Sequence, residues 1–175
     1  MSRLLTAEQI NTIISDLGVR IFSDAEKDTN FAFVGIRSRG EVLAQRLSRL
    51  LSDKTKSSIQ CGTLDITLYR DDLNNPQGTD QPVVRTTEIE FDIDDKTIIL
   101  VDDVLFTGRS TRAAMDALID LGRPRAIKLA VLIDRAGREL PIQADYAGLK
   151  TDIGPDQRIH VNFIESDGQD EVIVE

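Results

Sequence analysis

Two adjacent carboxylates, Asp102 and Asp103, follow the apolar run IILV at 98–101, and Val104, Leu105 and Phe106 lead from them into Thr107, Gly108, Arg109, Ser110 and Thr111. That last stretch opens a helical pattern, STRAAMDAL, whose first backbone N–H groups lack partners and carry the positive end of the helix dipole. Gly108 lets a ligand approach the backbone closely, and the hydroxyls of Thr107, Ser110 and Thr111 can donate to phosphate oxygens. The chemistry is that of a monophosphate cradle. The two acids would repel a phosphate unless they faced another part of the same ligand. Vicinal sugar hydroxyls donate well to carboxylates, so a ribose 5-phosphate fits both ends, and the acids could also stabilise positive charge developing on the sugar ring. Simpler readings are a strand end or a turn. A Walker B segment has a similar apolar run into acids, but no GxxxxGK[ST] occurs in the chain. The acidic cluster of a phospho-receiver domain opens its domain, whereas this pair lies past residue 100.

The elements that must position these residues are legible as patterns. Thr6 and Gln9 have capping-box spacing ahead of Ile10, Ile13, Ile14, Leu17 and Ile21, which predicts a helix from Thr6 to Phe22. FAFVGI at 31–36 is apolar enough for a strand covered on both faces. The loop RSRG at 37–40 then precedes a second helical stripe, Leu43, Leu47, Leu50 and Leu51. GTLDITLY at 62–69 predicts a strand, 70–85 a polar loop with turn signals, and TTEIEFDI at 86–93 an edge strand or half a hairpin. TIILV at 97–101 and AIKLAVLI at 126–133 are buried strands around the helix 110–122, and two further strands lie near 159–163 and 171–174. Strands alternating with helices specify an α/β fold with a mostly parallel sheet and right-handed crossovers. Ligands of such sheets sit at the carboxyl ends of the strands, so the loops 37–40, 102–111 and 134–141 should converge on one crevice.

Composition narrows the function classes. The 175 residues, 41% hydrophobic and 29% charged, are expected to fold as one domain over 1–175. No secretory leader or apolar run long enough to span a bilayer is visible, so a cytoplasmic protein without a membrane partner is expected. The single cysteine, Cys61, and single histidine, His160, argue against a zinc site and suit structural roles. A net charge of −9 argues against a protein whose main task is coating nucleic acid, although a local basic patch is compatible with it.

Residues 97–111 resemble the 5-phosphoribosyl-1-pyrophosphate (PRPP) motif of the type I phosphoribosyltransferases. Together with VGIRSRG, LDITLYRDDL and LAVLIDRAGRELPIQADY, they resemble the pyrimidine operon attenuation regulators (the PyrR family), over roughly 31–148. The resemblance implies a mostly parallel twisted sheet flanked by helices, with a small hood and a flexible β-hairpin lid. It implies a uracil phosphoribosyltransferase, displacing pyrophosphate at C1 of PRPP to give UMP, with Mg2+ accompanying PRPP. Asp102, Asp103 and Arg37 would then be catalytic. Arg37, Ser38, Arg39 and Gly40 stand where the family binds pyrophosphate, in a loop associated with a non-proline cis peptide. Tyr69 and Arg70 lead into the lid, which starts at Asp71 and Asp72 and runs to Arg85, and Arg70 is a candidate pyrophosphate contact. Val104 to Thr111 would hold the ribose phosphate, and Asp134, Arg135 and Arg138 the base or nucleotide. The family also implies a homodimer or higher homo-oligomer, UMP as effector, and RNA binding in transcriptional attenuation. Hypoxanthine or guanine as acceptor, and a nucleotide-sensing RNA regulator with little catalysis, stay open as alternatives.

Members that bind messenger RNA have a basic first helix and a basic segment after RELP. Here the first helix has one Arg, no Lys and a central Asp16 between Glu8 and Phe22, Gln143 follows RELP, and Leu149 stands in place of a lysine. RNA binding through phosphate contacts is therefore expected to be weak or altered unless Arg20, Arg37, Arg39, Arg135, Arg138 and Lys150 assemble into one patch. The segment GLKTDIG also leaves the base pocket less defined than the donor site.

Overall fold

The computed structural model describes residues 2–25, 30–72 and 83–175. Strand β1 (Ser2–Leu5) leads into helix α1 (Ala7–Ala25), and β2 (Phe31–Ile36) into α2 (Arg39–Thr55). Then come β3 (Cys61–Leu64), a 3-10 turn (Thr67–Tyr69), β4 (Thr97–Leu105), α3 (Arg109–Leu121), β5 (Ala126–Arg135) and β6 (Tyr146–Thr151). The chain ends with β7 (Ile159–Asn162), the short α4 (Ile164–Asp167) and β8 (Glu171–Val174). Five parallel strands form one sheet in the order β3-β2-β4-β5-β6, and β1-β8-β7 form a small antiparallel one. Among the described residues no helix is long and apolar enough to cross a membrane.

The two-residue period of the strands builds two cores. Phe33, Ile99, Val101, Ala130 and Leu132 point to the face covered by α1 and α2. Ala32, Val34, Ile98, Leu100, Leu129 and Val131 point to the face covered by Ala113, Ala114, Ala117 and Leu118 of α3. A strand apolar on both sides is what a sheet layered between helices requires. The predicted capping box is present: the Thr6 N–H donates to Gln9 Oε1 at 2.9 Å, and the Gln9 N–H donates to Thr6 Oγ1 at 3.3 Å.

Three expectations need correction. The strand predicted for 62–69 stops at Leu64, because the Asp65 carboxylate accepts from the Thr67 N–H at 3.1 Å and from the Thr67 hydroxyl at 2.6 Å, turning the chain. The segment 86–93 forms only a single bridge, Thr63 to Glu88. Beyond it the Asp65 N–H is taken by the Thr87 hydroxyl at 3.1 Å, so the ladder cannot continue. Strand β6 was not anticipated, since Gly148 and Lys150 interrupt its apolar pattern and only its pairing with β5 makes it extended. Most of the expected hairpin lid, 73–82, lies outside the described residues.

Leu100 is fully buried in the central strand. Leu100→Ala is expected to lower unfolding free energy by about 2–5 kcal/mol through the cavity it leaves. Thr6→Ala, which removes the cap, should cost about 1 kcal/mol. Urea denaturation of the two variants beside the parent chain measures both.

Candidate active site

The PRPP-motif acids lie inside β4, which continues four residues past the buried run. Each carboxylate is turned back on its own strand: the Asp103 N–H donates to Asp102 Oδ1 at 2.9 Å and the Val104 N–H to Asp103 Oδ1 at 2.8 Å. Burial, and after it the neighbouring Asp103 charge, push the Asp102 carboxyl well above the ordinary carboxylate range. Burial raises Asp103 as well, against the downward pull of its hydrogen bonds and of the Arg39 charge. Two acids that resist ionising together call for a ligand that donates hydrogen bonds or brings positive charge.

A helix N-terminus stands on either side of this pair. Strand β2, next to β4, ends at the 37–40 loop, and the Arg37–Ser38 peptide is cis. Neither Ser38 before α2 nor Gly108 before α3 makes a side-chain capping bond. The Arg109 N–H donates to the Thr107 hydroxyl at 3.3 Å, and the remaining first-turn N–H groups of both helices face the site for another acceptor. The two loops are in direct contact. A Cβ on Gly40 would overlap the Val101 carbonyl oxygen and stand 3.0 Å from Asp102 Cα, so only glycine lets the α2 turn approach the acids this closely. Gly108 has φ +90°, the left-handed conformation that glycine adopts without steric cost. Its cradle rests on the segment after β5, where the Glu139 and Leu140 N–H groups donate to the Thr107 carbonyl at 3.0 and 3.1 Å.

The predicted side chains divide into those at the crevice and those that build it. Arg37 donates to the Thr86 carbonyl at 2.8 Å and pairs with Glu41 at 3.2 Å and Glu88 at 3.4 Å. Arg39 pairs with Asp167 of α4 at 2.7 Å. Ser110 is exposed, whereas Thr111 is buried and Leu105 belongs to the core under α3. Val104 is half-buried against the opposite core. Arg109 bridges Asp71 at 2.7 Å and Glu139 at 2.6 Å, joining the two segments that flank the cradle. Tyr69 is directed onto α3, its hydroxyl donating to Asp120 at 2.7 Å, and Arg70 pairs with Asp72 at 2.5 Å.

Asp134 and Arg138 are bound to each other at 2.6 Å, and Arg138 also donates to the carbonyls of Phe106 and Ile142. Arg135, read from the sequence as a base-side contact, is only 4% exposed and is turned onto main-chain carbonyls instead. Residues whose role the sequence did not suggest are Thr86, Glu88, Asp167 and Glu139. Each holds a site arginine from a distant segment, which no local pattern marks. The His160 Nε2 lies at hydrogen-bond distance, 3.1 Å, from Glu175 Oε2, and burial raises the half-buried Cys61 thiol to about 11, so it carries no thiolate at neutral pH.

Residues 1–166 match the family model described as "Phosphoribosyl transferase domain". The "Bifunctional protein PyrR" of Deinococcus deserti is 46% identical over 169 residues, 97% of this chain and 91% of that protein. The protein of the same name from Pelotomaculum thermopropionicum is 43% identical over 173 residues, 99% and 94% of the two chains. Among solved structures, the hypoxanthine phosphoribosyltransferase of Trypanosoma cruzi superimposes with a TM-score of 0.74 at 19% identity, covering 99% of this chain and 95% of that one. A hypoxanthine-guanine phosphoribosyltransferase from Bacillus anthracis gives a TM-score of 0.71 at 19% identity, covering 100% and 98%. At that identity the structural likeness speaks for the fold alone. With two acids between two uncapped helix ends, a family model spanning nearly the whole chain and relatives above 40% identity, the chain belongs to the phosphoribosyltransferase family and, within it, to the PyrR proteins.

Proposed function

We propose that the chain transfers the phosphoribosyl group of PRPP to uracil, giving UMP and pyrophosphate. The observation that carries this reading is the pair of uncapped helix N-termini on adjacent strands, flanking Asp102 and Asp103. One anion site, at 107–111, suits the 5-phosphate, and the other, at 37–40, suits the diphosphate. The carboxylates between them suit the 2- and 3-hydroxyls of the ribose and the positive charge that grows on the ring as the C1–O bond breaks. The ring nitrogen of uracil forms its bond to C1 and releases its proton. Positioning and electrostatics do most of the work.

Magnesium is the ion this chemistry implies. Among the described residues no group of three or more His, Cys, Asp or Glu forms a metal cage. The ion would be bound mainly by substrate oxygens, and Asp102 and Asp103 are the side chains that would share it. When bound it neutralises the diphosphate leaving group.

The order of strands adds a direction. With pyrophosphate leaving on the β2 side of the sugar, the entering base must approach C1 from the opposite side, over the ends of β5 and β6. Self-association is part of the same reading. Leu68, Ile119 and Leu121 are large apolar side chains left 76%, 62% and 54% exposed, and in this reading they contribute to a contact with a second copy.

RNA attenuation, in this reading, is the weaker of the two family activities here. Arg20 donates to the Ala147 carbonyl, Arg37, Arg39 and Arg138 are paired with carboxylates, and Arg135 is buried. Of the six basic residues considered for an RNA patch, only Lys150 has no partner among the described residues.

Three outcomes are expected. Incubated with PRPP, magnesium and labelled uracil, hypoxanthine or guanine, the protein should make UMP fastest, and Asp102→Asn should lower that rate by roughly 100- to 1,000-fold. Faster product from a purine, or an unaffected Asp102→Asn enzyme, would overturn the reading. The same substitution should raise the melting temperature of the ligand-free protein at neutral pH. A carboxyl whose pKa is higher folded than unfolded costs stability once pH exceeds its unfolded value, and the cost vanishes on acidification, so the gap between variant and parent should close towards low pH. In gel shifts with the leader transcript of its own pyrimidine genes, binding should be weak and fall steeply with salt. Tight, UMP-dependent binding would refute that part of the proposal.

A further inference from the structure

The side from which the base enters holds an unusual group. Arg135, at the end of β5, is 4% exposed and pairs with no carboxylate among the described residues. Its guanidinium donates to the carbonyls of Ile153 at 3.2 Å, Gly154 at 2.7 Å and Gln157 at 2.8 Å, and it lies over the Phe106 ring with its carbon 4.0 Å from the ring centroid. Its Nε is buried without a hydrogen-bond partner. A buried cation without a counter-charge is costly, and packing alone would be better served by an apolar side chain. What an arginine does here that an apolar residue or a lysine would not is spread a planar fork over several carbonyls while stacking on an aromatic face.

The two segments it joins have no ladder between them. Phe106 follows β4, immediately before the cradle residue Thr107, while 153–157 follows β6, two strands away in the sheet order. Arg135 connects them across the end of β5. The 153–157 turn is itself closed by the Gln157 N–H donating to the Gly154 carbonyl at 3.1 Å. At Gly154 a Cβ would meet nothing nearer than Gln157 Oε1 at 3.8 Å, so this stretch borders open space.

We infer that Arg135 is a positioning residue for the nucleobase: it holds 153–157 as one wall of the base pocket and locks that wall, through Phe106, to the ribose phosphate site. The inference rests on the phosphoribosyl transfer proposed above and adds the element that sets where the base lies. Arg135 does not touch the base. It acts through the carbonyls it gathers and the ring it covers, so its loss should disturb the base and leave the donor site in place.

The test is steady-state kinetics on the full chain with uracil and PRPP varied separately, for the parent, Arg135→Lys and Phe106→Leu. Arg135→Lys should raise KM for uracil about tenfold through misplacement of the wall. KM for PRPP should stay within about twofold, the mark of an undisturbed donor site. Amide exchange at 153–157 should quicken in the same variant. Phe106→Leu, which keeps the three carbonyl bonds and removes the stacking face, should shift KM for uracil about threefold in the same direction. Both KM values rising together, or kcat alone falling, would overturn the inference. Should Arg135→Lys fail to fold, Pro155→Gly, which loosens the 153–157 wall at a residue with no part in the donor site, supplies the deciding split. Should the parent enzyme use a base other than uracil, the proposed substrate falls while the inference stands or falls on the same split measured for that base.

Discussion

Two neighbouring carboxylates at the end of a buried strand repel one another, and burial makes each harder to ionise. The surrounding structure answers that constraint. The strand holds each acid by the next N–H along the chain, so neither can swing away from the other. On both sides the sheet delivers a helix whose N-cap residue makes no side-chain capping bond, the Thr107 hydroxyl taking only the Arg109 N–H of α3. The crevice thus presents negative groups at its centre and positive dipole ends at its flanks, which is complementary to a sugar with an anion on each end. An ordinary protein would cap both helices and separate the acids. Here local stability is given up so that the substrate can complete the hydrogen bonding.

A second level of organisation lies in the arginines. Several that the sequence suggests as ligand contacts are already engaged, by carboxylates four residues away or from distant segments, or by main-chain carbonyls. Arg37 is held by Glu41 and Glu88, Arg39 by Asp167, Arg109 by Asp71 and Glu139, and Arg138 by Asp134. The exposed ones, Arg109 with Asp71 and Glu139, contribute little to stability, on the order of 0–1 kcal/mol each. Their consequence is geometric: they fix which segments meet around the crevice. Arg46 does the same further down α2, donating to Glu165 and Asp170 and lying 4.7 Å from the Phe163 ring centroid, which docks the α4 segment against the helix that opens at the 37–40 loop.

Much of this was legible in the sequence because the governing interactions are local. The run TIILVDD, the glycine at 108 and the helical stripe of α3 each express a rule about a few consecutive residues: apolar on both faces, left-handed backbone, 3.6-residue period. The same holds for the Thr6 and Gln9 cap and for the FAFVGI strand, whose predicted limits are those observed. The donor half of the site is a strand, a turn and a helix end, so it too is local, and the family resemblance starts from that segment and extends to VGIRSRG, LDITLYRDDL and LAVLIDRAGRELPIQADY.

What tertiary structure alone decided is what depends on distant partners. Strand β6 is extended because β5 pairs with it, despite Gly148 and Lys150, and β1 because β8 does. The family resemblance implies a base-side contact for Arg135, yet three carbonyls from 153–157 and the Phe106 ring draw it into the interior. A sequence specifies which groups a residue carries and the period on which it recurs. Whether a cation faces substrate or gathers a loop is settled by which carbonyls the fold brings within hydrogen-bond reach, and that is a property of the whole sheet order rather than of any one stretch of the chain.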